Sequence, residues 1–231
     1  DDILNLLQCF QKKVALTAFE FFSELALQKV TQRGDIPRPF SEQCAFYALI
    51  EFDADADEEA AIAFEEAQER DWVKTGVISQ SDAQAAALWS LRENISESIA
   101  SETPYKNDLS VRISEVPGFL SDVDDIVNKH YPDLDVCWYG HIGDGNLHLN
   151  ILKPESVPID DFFERCHRIN PELFRLIEKR GGSISAEHGV GLLKRDFLPY
   201  SKSDVEIGLM RELKKVFDPS GIMNPGKLFS L

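Results

Sequence analysis

Trp138-Tyr139-Gly140-His141-Ile142-Gly143-Asp144-Gly145-Asn146-Leu147-His148-Leu149-Asn150-Ile151 is the stretch from which the fold and the chemistry can be read. Gly143-Asp144-Gly145-Asn146 is turn chemistry, because glycine and asparagine tolerate positive φ at little steric cost. On either side apolar and polar residues alternate: Val136, Trp138 and Ile142 against Cys137, Tyr139 and His141, then Leu147, Leu149 and Ile151 against His148 and Asn150. A period of two predicts two strands, each burying one face. Closing the hairpin over the four turn residues sets Ile142 opposite Leu147 and His141 opposite His148. Facing side chains have Cβ atoms ~5 Å apart, so the two imidazoles can converge on one ion. His141, His148, Asn150 and Tyr139 share the polar face.

A bare pair of histidines on a strand face is a weak signal. A second stretch strengthens it: Gly181-Gly182-Ser183-Ile184-Ser185-Ala186-Glu187-His188-Gly189-Val190-Gly191 sets a carboxylate and an imidazole side by side in a glycine-bracketed loop after a short alternating strand. Two histidines and one glutamate leave a coordination position open, as catalytic metal sites do. His130 and His167 fall in helical contexts and read as solvated or structural.

The chain has 231 residues, long enough for one large domain or two small ones, with 43% hydrophobic and 28% charged residues. Its formal net charge of −16 argues against nucleic acid and anionic membrane surfaces as partners. The four cysteines, Cys9, Cys44, Cys137 and Cys166, lack C-x-x-C spacing and read as free thiols in a reducing compartment. No apolar run approaches the ~20 residues of a membrane span. A cytoplasmic location is expected, or a mitochondrial one in a eukaryote, with peripheral membrane attachment left open. The opening Asp1-Asp2-Ile3-Leu4 fits a piece of a longer protein.

Periodicity predicts helices over 2–12, 23–33, from the acidic run 53–59 to about 70, 81–100, 116–130, 159–179 and 203–217, with a kink allowed at Pro171. Strands are expected over 16–22, 44–52, 73–79, 109–113 and the two arms of the 135–152 hairpin. Arg92 and Ser96 lie four apart on one helix flank; taken alone, Arg92 reads as a solvated charge. Alternation of strands and helices suits either a parallel sheet or antiparallel ferredoxin-like units.

Three ordered motifs carry a resemblance: Gly140-His-Ile-Gly-Asp-Gly-Asn-Leu-His148, Ser185-Ala-Glu-His-Gly-Val-Gly191 and Asn224-Pro-Gly-Lys227. Together with Ala18-Phe-Glu-Phe-Phe22 and Tyr105-Lys-Asn-Asp-Leu-Ser-Val111, they resemble the FAD-linked D-2-hydroxy acid dehydrogenases and oxidases of the vanillyl-alcohol-oxidase superfamily. That family includes D-lactate dehydrogenase, the glycolate oxidase flavoprotein subunit and D-2-hydroxyglutarate dehydrogenase. The chain is similar to the C-terminal substrate domain, and no glycine-rich dinucleotide loop is visible in it.

The resemblance implies an α+β fold, an antiparallel sheet backed by helices in two ferredoxin-like halves. Residues 1–202 would form a substrate- and metal-binding cap, and 203–231 a helix and tail returning to an N-terminal FAD domain. It further implies His141, His148 and Glu187 as ligands of a divalent metal such as zinc, and His188 as catalytic base. Arg92, Ser96, Lys106 and Asn150 would hold the substrate, and Asn224 and Lys227 would reach the FAD. The partners expected are a small 2-hydroxy acid, an unidentified electron acceptor and a second copy as a homodimer. Ser96 departs from relatives that carry threonine there, and the hydroxyl is kept.

Independent of any resemblance, oxidising a 2-hydroxy acid requires a proton from the hydroxyl and a hydride from the same carbon. A metal acidifies the hydroxyl, histidine takes the proton, and arginine and lysine aim the carboxylate. Lys106, Lys194 and Arg195 are the cations available for a second carboxylate. Two other readings fit the same ligand set: a non-haem iron oxygenase or a zinc hydrolase. A separately encoded metal-binding domain without catalysis is the non-enzyme alternative.

Overall fold

The computed structural model describes residues 1–34 and 36–229. Its centre is one five-stranded antiparallel sheet in the order β2-β1-β4-β5-β3. The strands are β1 (Leu16–Ser23), β2 (Phe46–Phe52), β3 (Tyr105–Ser110), β4 (Asp135–Gly140) and β5 (Asn146–Leu152). The helices are α1 (Asp2–Gln11), α2 (Glu24–Gln32), α3 (Asp57–Glu69), α4 (Asp82–Glu93), α5 (Ile95–Ser98), α6 (Val116–His130), α7 (Ile159–Lys179) and α8 (Asp204–Phe217).

The second half is a ferredoxin-like unit, β3-α6-β4-β5-α7, whose last strand is reduced to a single bridge between Ser110 and Ser183. The short strand expected over 183–185 is therefore only that bridge. The first half adds β1-α2-β2 to the edge of β4.

Period-two alternation divides the core between the two sheet faces. Phe19, Phe21, Trp138, Leu147, Leu149 and Ile151 point to one side, where they pack with residues of α1, α3, α6 and α7. Trp138 is 2% exposed, and its indole N–H donates to Asp124 at 2.9 Å, so its burial leaves no orphaned donor. On the other side Phe22, Tyr47, Cys137, Tyr139 and Leu152 pack with α2, α4 and α5. Here the helices lie over β2, β1 and β4. The β4-β5-β3 part of this face carries His148, Asn150, Lys106 and Asp108.

Three expectations need correction. Residues 73–79 form no strand: Gly76 is held against the Phe64 ring, and Val77 and Ile78 are half exposed. The helix expected over 81–100 breaks at Asn94, whose side chain donates back to the Ser90 carbonyl at 2.9 Å. The strand placed at 109–113 runs instead from Tyr105 to Ser110, because the chain turns into a 3₁₀ segment at Ile113.

The histidine hairpin closes in a different register. Tyr139, not His141, faces His148, and the connection contains a 3₁₀ turn over Ile142–Asp144 followed by left-handed Gly145. Gly145 has φ +71°, and a Cβ there would overlap the Val111 carbonyl oxygen. The longer turn shifts the pairing by two residues, an even number, so every side chain keeps its expected face.

Candidate active site

One row of residues crosses the sheet: Phe22 on β1, Tyr139 on β4, His148 on β5 and Asp108 on β3 are successive cross-strand partners. The next row on the same face contains Cys137, Asn150 and Lys106. Continuing the β1–β4 register past Phe21–Gly140 sets Glu20 opposite His141. Regular strand geometry thus brings residues more than a hundred positions apart onto one surface.

His141, His148 and Glu187 meet there, each offering one ligand atom within 4.8 Å of the others. His141 Nε2 lies 3.2 Å from Glu187 Oε1, a separation typical of two ligand atoms on one tetrahedral ion. His141 Nδ1 lies 2.6 Å from Glu20 Oε1, and since an ionised carboxylate only accepts, Nδ1 carries a proton there and Nε2 faces the cluster. The donor set of two imidazoles and a carboxylate suits a divalent metal, and the residues present fit one.

The two histidines differ electrostatically. Burial and the nearby Arg92 charge push His148 down to about 4, so it stays neutral and able to ligate. The hydrogen bond to Glu20 raises His141 above its ordinary value, against the opposing effect of burial. Protons therefore compete with a metal mainly at His141.

Glu187 and His188 sit on a loop held by a residue the motifs did not identify. Asp108, 3% exposed, accepts the backbone N–H groups of both Glu187 and His188 on Oδ2 at 2.8 Å. Despite its burial the carboxyl is held below its ordinary value, chiefly by these two backbone donors. Asn146 donates to Glu187 Oε1, fixing that carboxylate from the hairpin side. The His188 ring stacks on His148 with centroids 6.1 Å apart, its side chain two-thirds exposed. A base in that position can reach a substrate bound beside the metal.

Arg92, Ser96, Lys106 and Asn150 converge on Tyr139. Arg92 is buried rather than solvated, 8% exposed, with its guanidinium carbon 4.8 Å from the Tyr139 ring centre. Its Nε donates to Glu20 Oε2 at 2.9 Å, and its two Nη groups have no hydrogen-bond partner among the described residues. Lys106 Nζ donates to Ser96 Oγ at 2.8 Å. Burial raises the Tyr139 hydroxyl, an effect moderated by the neighbouring Ser96, Arg92 and Asn150. Asn150 is 1% exposed and donates to the His148 carbonyl at 3.2 Å.

The other two cations considered for a second carboxylate are already engaged. Lys194 donates to the Asp108 carbonyl at 3.1 Å and to the Ile184 carbonyl, and burial lowers it to about 8. Arg195 donates to the Gly226 carbonyl at 3.2 Å and to Asp196.

The structure does not group Asn224 and Lys227 with the metal cluster. Lys227 Nζ donates to Asn224 Oδ1 at 3.1 Å, and the tail is tied by Leu228 N to the Gly191 carbonyl at 2.9 Å. His130 pairs with Glu172 at 2.8 Å, and His167 meets the Tyr105 ring edge-on, as structural histidines do.

Glu20 and Asp108 are the site residues that sequence reasoning missed. Each left a signal, the one carboxylate of its strand segment: Ala18-Phe-Glu-Phe-Phe22 and Tyr105-Lys-Asn-Asp-Leu-Ser110.

Comparison with known proteins places this architecture. A D-2-hydroxyglutarate dehydrogenase of Stutzerimonas stutzeri is 56% identical over all of this chain and 50% of its own length. One of Xanthomonas citri is 49% identical over 99% of this chain and 49% of its own. A putative mitochondrial D-lactate dehydrogenase of Schizosaccharomyces pombe is 36% identical over 92% of this chain and 42% of its own. The chain therefore spans about half the length of the curated relatives it matches. A solved 4-ethylphenol oxidase of Gulosibacter chungangensis shares the fold, with TM-score 0.61 at 12% identity over 99% of this chain and 51% of that one. Among the described residues no helix is long and apolar enough to cross a membrane. The family model described as "FAD linked oxidases, C-terminal domain" matches residues 1–228, and the chain belongs to that family.

Proposed function

We propose that this chain is the substrate- and metal-binding half of an FAD-dependent dehydrogenase that oxidises a D-2-hydroxy acid to the 2-oxo acid. The observation that carries this reading is the convergence, on one sheet face, of the His141–His148–Glu187 cluster with the Arg92–Ser96–Lys106 group. A 2-hydroxy acid presents a hydroxyl and a carboxylate on adjacent carbons, and this face pairs a metal-ligand set with unspent cationic donors.

His141 Nε2, His148 and Glu187 would hold the divalent metal, zinc in our reading. Once bound, the metal would supply a Lewis acid for the substrate hydroxyl and the flavin an acceptor for hydride. Every other role falls to this chain. The free Nη groups of Arg92 and the Lys106 ammonium neutralise and aim the substrate carboxylate. His188, exposed above His148, takes the hydroxyl proton on a ring nitrogen. Asn150 and Ser96 line the substrate position beside Tyr139, and Ser96 accepts from the Lys106 ammonium. The relatives' names support D-2-hydroxyglutarate as first choice of substrate, with Lys106 the cation nearest at hand for a diacid.

The flavin is assigned to the portion of the polypeptide that the relatives have beyond the matched region. In this division residues 1–202 form the cap and 203–231 the return. Val205, Leu209, Leu213, Val216 and Phe217 form an exposed apolar stripe on α8, suited to packing against that portion, and Asn224 and Lys227 are the tail residues assigned to reach the flavin.

The test uses the whole polypeptide, loaded with FAD and kept anaerobic. Mixing with D-2-hydroxyglutarate or D-lactate should bleach the flavin's visible absorbance, and the L-isomers should not. Turnover that needs oxygen and iron but no flavin would favour the oxygenase, and flavin-independent ester or amide cleavage the zinc hydrolase.

A further inference from the structure

Glu20 joins the two halves of this site. Its side chain is 5% exposed, and each carboxylate oxygen has one partner: Oε1 accepts from His141 Nδ1 at 2.6 Å, Oε2 from Arg92 Nε at 2.9 Å. The partners come from the hairpin after β4 and from the end of α4. We propose that Glu20 is a positioning residue, a two-pronged acceptor that fixes His141 as an Nε2 metal ligand and orients Arg92 toward the substrate at the same time. The proposal rests on the functional reading above and extends it to a residue that touches neither metal nor substrate.

The argument is one of donors and acceptors. A neutral imidazole carries one N–H, and an ionised carboxylate can only accept. Glu20 Oε1 therefore holds the proton on Nδ1 and leaves the lone pair on Nε2, which faces Glu187 at 3.2 Å. The second oxygen takes the Nε–H of Arg92, whose planar fork then presents Nη1 and Nη2 away from Glu20. The Tyr139 ring under the guanidinium removes its remaining freedom to swing. One side chain thus sets the spacing between the group that receives the hydroxyl and the group that receives the carboxylate. The buried carboxylate is itself compensated by the Arg92 charge, and removing either partner would leave an unpaired buried ion.

An amide cannot play this part, because Gln has one accepting oxygen and one donating nitrogen. In Glu20→Gln, if the oxygen serves Arg92, the amide N–H₂ faces His141 and forces its proton onto Nε2, blocking the metal position. If the oxygen serves His141, the N–H₂ confronts the Arg92 Nε–H and displaces the guanidinium. One function must be lost.

The test compares wild type, Glu20→Gln and Glu20→Asp in the whole flavoprotein, with Glu51→Gln on the adjacent strand as control. Three readouts are taken: the His141 tautomer from ¹⁵N chemical shifts in the metal-free protein, the zinc Kd by calorimetry, and KM for the D-2-hydroxy acid. Metal-free wild type, at a pH above the raised His141 value where the ring is neutral, should show the Nδ1–H tautomer. Glu20→Gln should show either an Nε2–H tautomer with zinc bound about 10–100-fold more weakly, or a retained tautomer with KM raised at little change in melting temperature. Glu20→Asp, which keeps two acceptors, should recover part of the loss, and Glu51→Gln should match wild type. An Nε2–H tautomer in the wild type, or a folded Glu20→Gln with unchanged tautomer, zinc Kd and KM, overturns the proposal. If wild type neither binds zinc nor oxidises a hydroxy acid, the functional reading fails, and the tautomer comparison still decides the role of Glu20.

Discussion

Acid should weaken this fold through a single imidazole. His148 packs against the Tyr139 ring, centroids 4.9 Å apart, and 12% of its side chain is exposed. Its pKa falls from 6.5 to about 4, first through burial and then through Arg92. Below 6.5 the unfolded chain binds a proton that the folded chain refuses, so stability falls with pH until the folded group titrates near 4. Between pH 7 and 5 the two-state linkage expression gives a loss of about 2 kcal/mol, and about 1.2 kcal/mol per pH unit at the steepest. Two other shifted groups work against it: His141, raised by its bond to Glu20, and Asp124, raised by burial, each favour the folded state more as pH falls, so the loss is read as the difference between wild type and a His148 variant. His141, raised, contributes stability that is complete below 6.5 and lost only as pH rises through its folded value. Asp108 and Glu24, lowered from 3.8 and 4.5, lose their contributions only below those values. The assay is urea unfolding at pH 7, 6 and 5 in the presence of a chelator, since a bound metal would itself hold His148 deprotonated. His148→Phe keeps an aromatic ring in place and should remove this loss. An equal slope from pH 7 to 5 in wild type and His148→Phe would refute the reasoning.

Four further outcomes are expected. His141→Ala and His148→Ala should each lose stoichiometric divalent metal with the fold retained; elemental analysis giving wild-type content in both would rule out the cluster. His188→Ala should keep the metal and slow flavin reduction by ~10²–10⁴-fold, whereas Glu187→Ala should lose metal and rate together, as read by anaerobic stopped flow. Asp108→Ala frees two backbone N–H groups and should cost about 2–3 kcal/mol, with faster hydrogen exchange at Glu187 and His188. Gly145→Ala forces a side chain into left-handed backbone against Val111 and should destabilise by about 1–3 kcal/mol in thermal unfolding.

The sequence made the site's face legible better than its register. Alternation through Cys137-Trp-Tyr and Leu147-His-Leu-Asn gave the correct side for each residue, because parity depends only on strand geometry. The pairing was misjudged by two residues because 3₁₀ closure over Ile142–Asp144 is a property of the turn backbone, and a Gly-Asp-Gly-Asn string is compatible with several turns. Val73–Ser79 has strand composition and no partner strand to satisfy it, and pairing is a tertiary fact. Arg92 read as solvated because helical spacing cannot show that β1 delivers Glu20 beneath it. Asp108 was invisible for the same reason: its partners are backbone N–H groups 79 and 80 residues away.

The central claim is that oxidation of the hydroxy acid depends on a metal held by His141, His148 and Glu187. The most direct measurement is single-turnover flavin reduction by D-2-hydroxyglutarate in the whole protein, made before chelation, after chelation and after zinc is restored. The account predicts that chelation abolishes rapid reduction while the protein stays folded and yellow, and that one equivalent of zinc restores it. Reduction at an unchanged rate in protein shown by elemental analysis to be metal-free would contradict it.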